Sequence, residues 1–292
     1  MIQKINQEML EHAVSILGKT YNDPKEKEIS QAIDLLRKSM VSKKAAETFR
    51  ADEVPPDAGV FYKTGAPWMD AWLRGGLRKQ ELVLIGAIPA AGKTHTLAWF
   101  GSQYLYEGYD VLHVIGEDLL SDVRDYYAKG FKQEVWDEVQ KHLWLSNVQD
   151  VSFGVPQVEE IYENLKEKGT PPTVTIVDHV DLMKGTSGKA DWEQVTDVML
   201  GLKMLAKRTD SILITASQLT YDKESKGNAR FYRAKVGKAA NADVILMIDD
   251  VIENEYRVSL TKARARKAVP SDKKQKSLWV NWDTMEIQDV SG

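Results

Sequence analysis

The stretch that decides the fold of this 292-residue chain is Leu82-Val83-Leu84-Ile85-Gly86-Ala87-Ile88-Pro89-Ala90-Ala91-Gly92-Lys93-Thr94. Its first four residues are apolar, as in a strand that is buried on both faces of a sheet. A loop containing proline and glycine comes next, and a helical pattern over 96–104 follows directly. The stretch therefore predicts a strand, a tight loop and a helix in immediate succession.

Similar apolar runs recur from about residue 60 onward and are separated by helical patterns. The first five are apolar almost throughout, which is typical of parallel strands covered by helices on both faces. The last two alternate between apolar and polar residues, which predicts antiparallel strands at an edge. We expect an α/β fold with a mostly parallel, twisted central sheet flanked by helices. The runs are Leu82–Ile85, Val111–Ile115, Val174–Val177, Ile212–Ala216, Val244–Ile248, Tyr256–Leu260 and Leu278–Val280.

The beginning of the chain has a different pattern from the rest. Residues 1–50 are polar with helical spacing, and the stretch 51–59, which contains Pro55 and Pro56, is typical of a linker. We therefore expect three parts: an N-terminal helical segment at 1–50, a linker at 51–59 and one large domain at 60–292.

Composition excludes several classes of protein. The chain has 39 basic and 43 acidic residues, a net charge of −4, so any contact with nucleic acid must come from local basic patches. It has no cysteine, which excludes disulfides and cysteine-ligated metal centres, and its five histidines are scattered. No apolar run approaches the roughly 18 residues of a membrane span, and no signal-peptide core is present. We expect a soluble cytoplasmic protein.

Residues 87–94 end like a Walker A loop, although Ala87 stands where the pattern has its first glycine and Gly86 lies one position earlier. In such a loop the backbone N–H groups and the N-terminus of the next helix bind phosphate. We expect Lys93 to bind the β- and γ-phosphates of ATP and the Thr94 hydroxyl to ligate Mg²⁺. A solvated lysine in an ordinary loop is the alternative. The predicted nucleotide-binding residues are Pro89, Ala90, Ala91, Gly92, Lys93, Thr94 and His95.

Three polar residues follow predicted strands at the positions where open α/β sheets bind ligands. Asp178 is a candidate to hold Mg²⁺ through water, with a helix N-cap as its alternative role. Glu117 is a candidate general base that polarises the attacking water, and its alternative is an exposed residue in the first turn of a helix. Gln218 is a candidate sensor of the γ-phosphate, or else an ordinary surface residue.

Lys262 and Arg264 lie two residues apart at the end of the predicted strand Tyr256–Leu260, so they point to the same side. Such a pair can reach the γ-phosphate of a neighbouring subunit as an arginine finger does. A plain basic edge strand is the alternative. Together, the candidate catalytic residues are Lys93, Glu117, Gln218, Lys262 and Arg264.

In their order and spacing these motifs resemble the RecA-like ATPase domain of DnaB-type replicative helicases, over about residues 60–288. The similar segments include the loop at 87–94, Gly116-Glu117-Asp118, Ser217-Gln218-Leu219 and Lys262-Ala263-Arg264. The stretch 178–183 resembles the family's Walker B segment, with His179 and Asp181 replacing the usual Tyr and Gln. The resemblance implies a RecA-like P-loop fold and a homohexamer with ATP at its subunit interfaces, which moves 5′→3′ along single-stranded DNA.

The resemblance also bears on partners. Only about 60 residues precede the ATPase region, so we expect this chain to lack the family's usual N-terminal domain, as a compact, phage-like helicase would. We expect the N-terminal helices to dock on an adjacent subunit and close the ring, and a primase or a loader is a further candidate partner.

Two loops are locally basic. Residues 221–238 hold six basic and two acidic side chains, where the family places a DNA-binding loop, and a glycine-rich loop covers 184–189. Contacts of these loops to phosphate would be independent of base sequence. A solvated surface is the alternative. The predicted DNA-binding residues are Lys184, Lys223, Arg230, Arg233, Lys235, Gly237 and Lys238.

Two other classes of function remain open. A RecA- or KaiC-like ATPase that coats or anneals DNA without unwinding it would suit the small size of the chain. A small-molecule kinase would share the P-loop, but it gives no reason for the pair Lys262 and Arg264 or for two basic loops. The ring helicase is the hypothesis that we carry forward.

Overall fold

The computed structural model describes residues 50–51, 59–148, 153–185, 191–218, 220–221, 229–230, 240–252, 254–264 and 275–290, with the backbone alone at 191–192, 220–221, 229–230 and 249–252. The chain divides into two compact units between Ala58 and Gly59. The predictions for residues 1–49 and for the linker at 52–58 lie outside the described residues. Within the described part, no helix is long and apolar enough to cross a membrane.

Six α-helices and eleven strands occur in the described ranges. The helices are α1 Pro67–Leu73, α2 Lys93–Tyr106, α3 Leu120–Lys129, α4 Gln133–Val139, α5 Val155–Glu167 and α6 Asp191–Thr209, with 3₁₀ turns at Gln140–His142 and Val180–Leu182. The strands are β1 Leu82–Ala87, β2 Val111–Ile115, β3 Leu143–Asn147, β4 Val174–Asp178, β5 Ile212–Gln218, β6 Thr220–Tyr221, β7 Ala229–Arg230, β8 Val244–Ile252, β9 Glu255–Ala263, β10 Gln275–Asn281 and β11 Glu286–Asp289.

Nine of these strands form one mixed sheet in the order β11-β10-β9-β8-β1-β5-β4-β2-β3. The six strands from β8 to β3 pair in parallel, whereas β9, β10 and β11 pair antiparallel at one side. This arrangement confirms the expected α/β fold with antiparallel edge strands. Strands β6 and β7 form a separate two-stranded sheet.

Alternating residues of β1 enter two different cores, because successive side chains of a strand point to opposite faces. Val83 and Ile85 pack into the core on the side of α1, α2 and α3, and Leu82 and Leu84 pack into the core on the side of α5 and α6. All six residues of β1 are buried. The sheet is therefore the middle of three layers, and loops at its edges are left to bind ligands.

Helix α2 begins and ends at glycines in the left-handed region. Gly92 caps its N-terminus at φ +67°, and Gly108, at φ +79°, follows its last turn and donates its N–H to the Leu105 carbonyl. Such a glycine at the C-terminus lets the chain leave the helix without steric cost. The helix therefore starts at Lys93, three residues before the helical pattern at 96–104 that the sequence predicts.

Two edge strands were absent from the sequence-based prediction. The residues of β3 are all half-buried, and β11 is largely exposed, so neither forms the fully apolar run by which the central strands are recognised. Trp72 and Trp99 are buried in the core. Trp279 is only half-buried because it lies on the outer face of β10.

Candidate nucleotide site

The loop between β1 and α2 has the backbone of a phosphate-binding loop. Ala90 and Gly92 have φ values of +60° and +67°, and Pro89 and Ala90 are exposed while Ala91 is buried. The N–H groups in the first turn of α2 have no acceptor within the helix, and the positive end of the helix dipole lies at the same point. The predicted residues 89–95 therefore form a cradle that favours an anion.

Three aromatic rings surround the start of α2. The His95 ring lies 4.0 Å from the ring of Tyr126 and 5.3 Å from that of Trp282, measured between centroids. The Trp282 indole N–H donates to the Tyr256 hydroxyl at 2.8 Å, and the indole covers Gly92. Burial and the nearby Lys129 charge lower the pKa of His95. A half-buried aromatic wall thus stands beside the anion cradle.

Asp178 is the last residue of β4 and lies under the loop. Its carboxylate is buried and accepts a hydrogen bond from Thr94, and its Oδ1 atom has no hydrogen-bond partner among the described residues. Burial raises the pKa of Asp178, while the Thr94 hydrogen bond and the charges of His179 and Lys93 act in the opposite direction. An unpartnered buried carboxylate oxygen beside a hydroxyl fits a hard divalent cation such as Mg²⁺.

Glu117 lies in the bend between β2 and α3, two residues before the N-cap Leu119, so it is not a first-turn helix residue. Its Oε2 atom is 3.6 Å from His179 Nε2. Gln218 ends β5, and its backbone N–H donates to Asp181 Oδ2 at 2.7 Å. The sheet order β1-β5-β4-β2 places the loop, Gln218, Asp178 and Glu117 in a row along one edge of the sheet, the edge at which these parallel strands end.

Lys262 and Arg264 lie at the opposite edge of the sheet, the edge at which the parallel strands begin. Strand β9 is antiparallel to β8, and the Arg264 N–H donates to the Asp243 carbonyl, while the Asp243 N–H donates to the Leu82 carbonyl at the start of β1. The six residues of β1 separate that point from the phosphate loop by roughly 17 Å. The pair lies at the C-terminal end of β9, as the sequence predicts, but because β9 is antiparallel to β8 this end lies opposite the phosphate loop.

The two cations are held together at that far edge. The Lys262 Nζ and Arg264 Nη2 atoms donate to the Ala240 carbonyl at 3.0 and 3.1 Å, and Arg264 Nη1 lies 3.6 Å from Asp243 Oδ1. Burial and the Arg264 charge lower the pKa of Lys262, and Asp243 opposes them. Within one chain, neither side chain can reach the phosphate loop.

Most of the predicted DNA-binding residues lie outside the described part of the chain. Lys184 is exposed, and its backbone N–H donates to the Phe153 carbonyl at 2.8 Å. Arg230 is described only as backbone in β7. Lys223, Arg233, Lys235, Gly237 and Lys238 lie outside the described residues, so their predictions stay predictions.

Sequence reasoning missed the two features that surround these motifs. Tyr126 and Trp282 reach the loop from α3 and from the turn after β10, and nothing in the spacing of the chain links them to it. The contact of His179 with Glu117 and with Asp181 was also missed. Its one available signal was position, because His179 and Asp181 follow Asp178 within three residues.

Comparison with known proteins agrees with this geometry. No protein-family model matches the chain. The chain is 23% identical over 190 residues to the DNA repair protein RadA of Campylobacter jejuni, a match that spans 56% of this chain and 42% of that relative. The chain thus matches less than half of the length of this relative.

Two solved structures share the fold. The first is the ATPase domain of a DnaB-like helicase, with a TM-score of 0.64 at 14% identity, covering 80% of this chain and 93% of that domain. The second is a DnaB-like replicative helicase, studied with its interactions with primase, with a TM-score of 0.64 at 16% identity, covering 97% of this chain and 76% of that one. The protein therefore has the RecA-like P-loop ATPase fold of DnaB-like helicases, as the sequence resemblance predicts.

Proposed function

We propose that the protein is an ATP-hydrolysing DNA helicase of the replicative type, which moves along single-stranded DNA as a homohexameric ring. One observation carries the proposal: the phosphate-binding residues lie at one edge of the sheet, and the paired cations Lys262 and Arg264 lie at the other. Each nucleotide site is then complete only where two subunits meet. ATP is the substrate and Mg²⁺ the metal ion.

The hydrolytic edge supplies the groups that phosphoryl transfer needs. Lys93 and the N–H groups of the loop bind the phosphates, and Thr94 and Asp178 would hold the metal ion, Asp178 through water. Bound Mg²⁺ would neutralise charge on the β- and γ-phosphates. Glu117 accepts the proton of the attacking water, and Gln218 contacts the γ-phosphate.

The opposite edge completes the neighbouring site. Lys262 and Arg264 place two positive charges against the γ-phosphate bound by the next subunit, which stabilises charge that develops during transfer. Their joint anchor on the Ala240 carbonyl keeps both side chains on one side of β9. Loss of the γ-phosphate then changes the subunit contact, and the basic loops, including Lys184, move along the DNA strand.

A second candidate is an ATPase that coats or anneals DNA without separating strands. The RadA match favours it, since that relative is a DNA repair protein. Both candidates work on DNA inside the cell, which would place the protein in the cytoplasm. A primase or a loader would be partners of the helicase alone.

Strand separation on forked duplexes tests the choice. Forks with a 5′ or a 3′ tail are incubated with ATP and Mg²⁺, and Lys93→Ala is the matched control because it removes the phosphate-binding ammonium from an otherwise intact loop. Unwinding from the 5′ tail alone, abolished in Lys93→Ala, supports the helicase. Hydrolysis stimulated by single-stranded DNA with closed forks supports the second candidate. Absence of hydrolysis overturns both.

A further inference from the structure

A row of side-chain contacts connects the ends of three neighbouring strands beside the phosphate loop. His179 Nε2 lies 3.6 Å from Glu117 Oε2, and His179 Nδ1 lies 3.4 Å from Asp181 Oδ2. Asp181 in turn accepts the Gln218 N–H at 2.7 Å and the Ser217 hydroxyl at 3.3 Å. The row thus begins at the proposed general base after β2 and ends at the proposed sensor in β5.

Glu117 is far more exposed than the two residues that follow it in the row. The Glu117 side chain is 63% exposed, whereas those of His179 and Asp181 are 9% and 20% exposed. An exposed glutamate has several rotamers and loses entropy when one is selected. Its neighbour His179 is fixed by packing, and Asp181 is fixed by hydrogen bonds to β5. The rigid end of the row can therefore restrict the mobile carboxylate.

The local backbone brings these residues close together. The Gly116 N–H donates to the Asp178 carbonyl at 3.0 Å, and a Cβ atom at Gly116 would stand 2.8 Å from Leu182 Cδ1. The end of β2 and the 3₁₀ turn Val180–Leu182 therefore meet at a glycine. This approach is what brings Glu117 within reach of a residue that follows β4.

We propose that His179, which is buried and contacts Asp181, is a positioning residue that orients Glu117 toward the attacking water and links that orientation to Gln218. The proposal rests on the hydrolytic function proposed above. At 3.6 Å the contact to Glu117 is longer than a hydrogen bond. Catalytic contacts of this kind commonly shorten once the substrate is bound. His179 itself need not touch the nucleotide.

Hydrolysis and binding are measured separately to test the proposal. Single-turnover hydrolysis at saturating ATP and the affinity for a slowly hydrolysed ATP analogue are compared in the wild type, His179→Leu, His179→Gln and Asp181→Asn. We expect His179→Leu to hydrolyse about tenfold more slowly, the scale of outer-shell effects, with affinity changed less than about twofold. His179→Gln should recover much of the rate, because its amide nitrogen lies near the position of Nε2. Asp181→Asn should be slowed several-fold.

A double-mutant cycle identifies the residue through which His179 acts. In a Glu117→Gln background, His179→Leu should slow hydrolysis no further, because the group that it orients is already gone. The matched control is His142→Gln, since His142 also contacts an aspartate, Asp110, but lies before β3 at the far edge.

Three results would overturn the proposal. They are a wild-type rate in His179→Leu, an equal slowing by His179→Leu in the Glu117→Gln background, and loss of analogue binding in His179→Gln. Should His179→Leu fail to fold, Asp181→Asn takes its place: a wild-type rate in Asp181→Asn, or an equal slowing by it in the Glu117→Gln background, would overturn the proposal. A wild-type protein that hydrolyses no ATP would instead contradict the proposed function itself, before any variant is compared.

Discussion

The indole of Trp282 occupies the space that a side chain at Gly92 would need. A Cβ atom built on Gly92 would stand 2.9 Å from Trp282 Nε1, and Gly92 has a φ of +67°. The hairpin between β10 and β11 therefore packs directly on the last glycine of the phosphate loop. Two separate demands, one conformational and one steric, make glycine necessary there.

Gly92→Ala tests both demands together, and its combination with Trp282→Leu separates them. We expect the substitution to lower the free energy of unfolding by about 1–3 kcal/mol and to abolish tight nucleotide binding, because both the φ value and the indole oppose a Cβ atom. Urea unfolding and binding of a fluorescent ATP analogue measure the two effects. Gly92→Ala combined with Trp282→Leu should regain part of the stability, and equal stability of the single and double variants would show that the indole exerts no steric constraint.

Asp178→Asn tests the metal site, because its effect on the free energy of unfolding can be compared with its effect on ATP hydrolysis. Burial raises the pKa of Asp178, so ionisation of this carboxylate is unfavourable in the folded protein without a cation. We expect Asn to abolish Mg²⁺-dependent hydrolysis. In EDTA at neutral pH, the free energy of unfolding should be unchanged or higher by about 1 kcal/mol. A loss of more than about 1 kcal/mol would instead assign Asp178 a structural role.

Mixing two inactive variants tests whether Arg264 acts between subunits. Lys93→Ala loses the phosphate-binding edge, and Arg264→Ala loses the far edge, so each alone should be inactive. In a mixed assembly some interfaces combine the intact loop of an Arg264→Ala subunit with the intact Arg264 of a Lys93→Ala subunit. We expect partial recovery of DNA-stimulated hydrolysis on mixing. No recovery at any ratio, despite a shared assembly by mass, would contradict action between subunits.

The burial of His113 predicts that the folded protein loses stability in acid. This histidine is fully buried in β2, its Nδ1 atom lies 3.1 Å from the Tyr127 hydroxyl, and burial lowers its pKa from 6.5 to about 3. Between about pH 3 and pH 6.5, His113 therefore binds a proton in the unfolded chain but not in the folded chain. The stability due to neutral His113 is complete above pH 6.5 and is lost as the pH falls toward 3.

At pH 5 this loss should be about 2 kcal/mol relative to neutral pH. His113→Gln, which cannot be protonated, should therefore show a flatter dependence of the unfolding free energy on pH. Urea titrations at pH 7 and pH 5 measure it, with His142→Gln as the control at a partly exposed histidine. Identical slopes in the wild type and His113→Gln would refute the assignment.

The sequence predicts the central sheet well because burial on both faces leaves a local signature. The strands around Val83, Val114 and Ile176 are recognised from apolar runs alone, and Gly92-Lys93-Thr94 marks the loop by its short-range chemistry. The edge strands β3 and β11 lack that signature, since their exposed faces admit polar residues.

Contacts between distant segments leave no such pattern. Trp282 lies on Gly92 although the two are far apart in the chain. Glu117 contacts His179 only because β2 and β4 are neighbours, and Asp181 contacts Gln218 only because β4 and β5 are neighbours. The antiparallel direction of β9 was predicted from its alternating residues, but its place beside β8 was not. Pairing with β8 carries Arg264 away from the phosphate loop.

If the proposed function holds, the antiparallel side of the sheet gives each subunit two unlike half-sites that face opposite ways. In the proposed arrangement, the far edge of one subunit serves the loop of the next, so the contact is head to tail. An open row of subunits then has one working site fewer than it has subunits, because the terminal loop has no donor. When the last subunit meets the first, that missing site is gained without any added chain. Closing the ring therefore adds one working site. A ring that is open at one interface would hydrolyse ATP more slowly than a closed ring, in proportion to the one site that is lost.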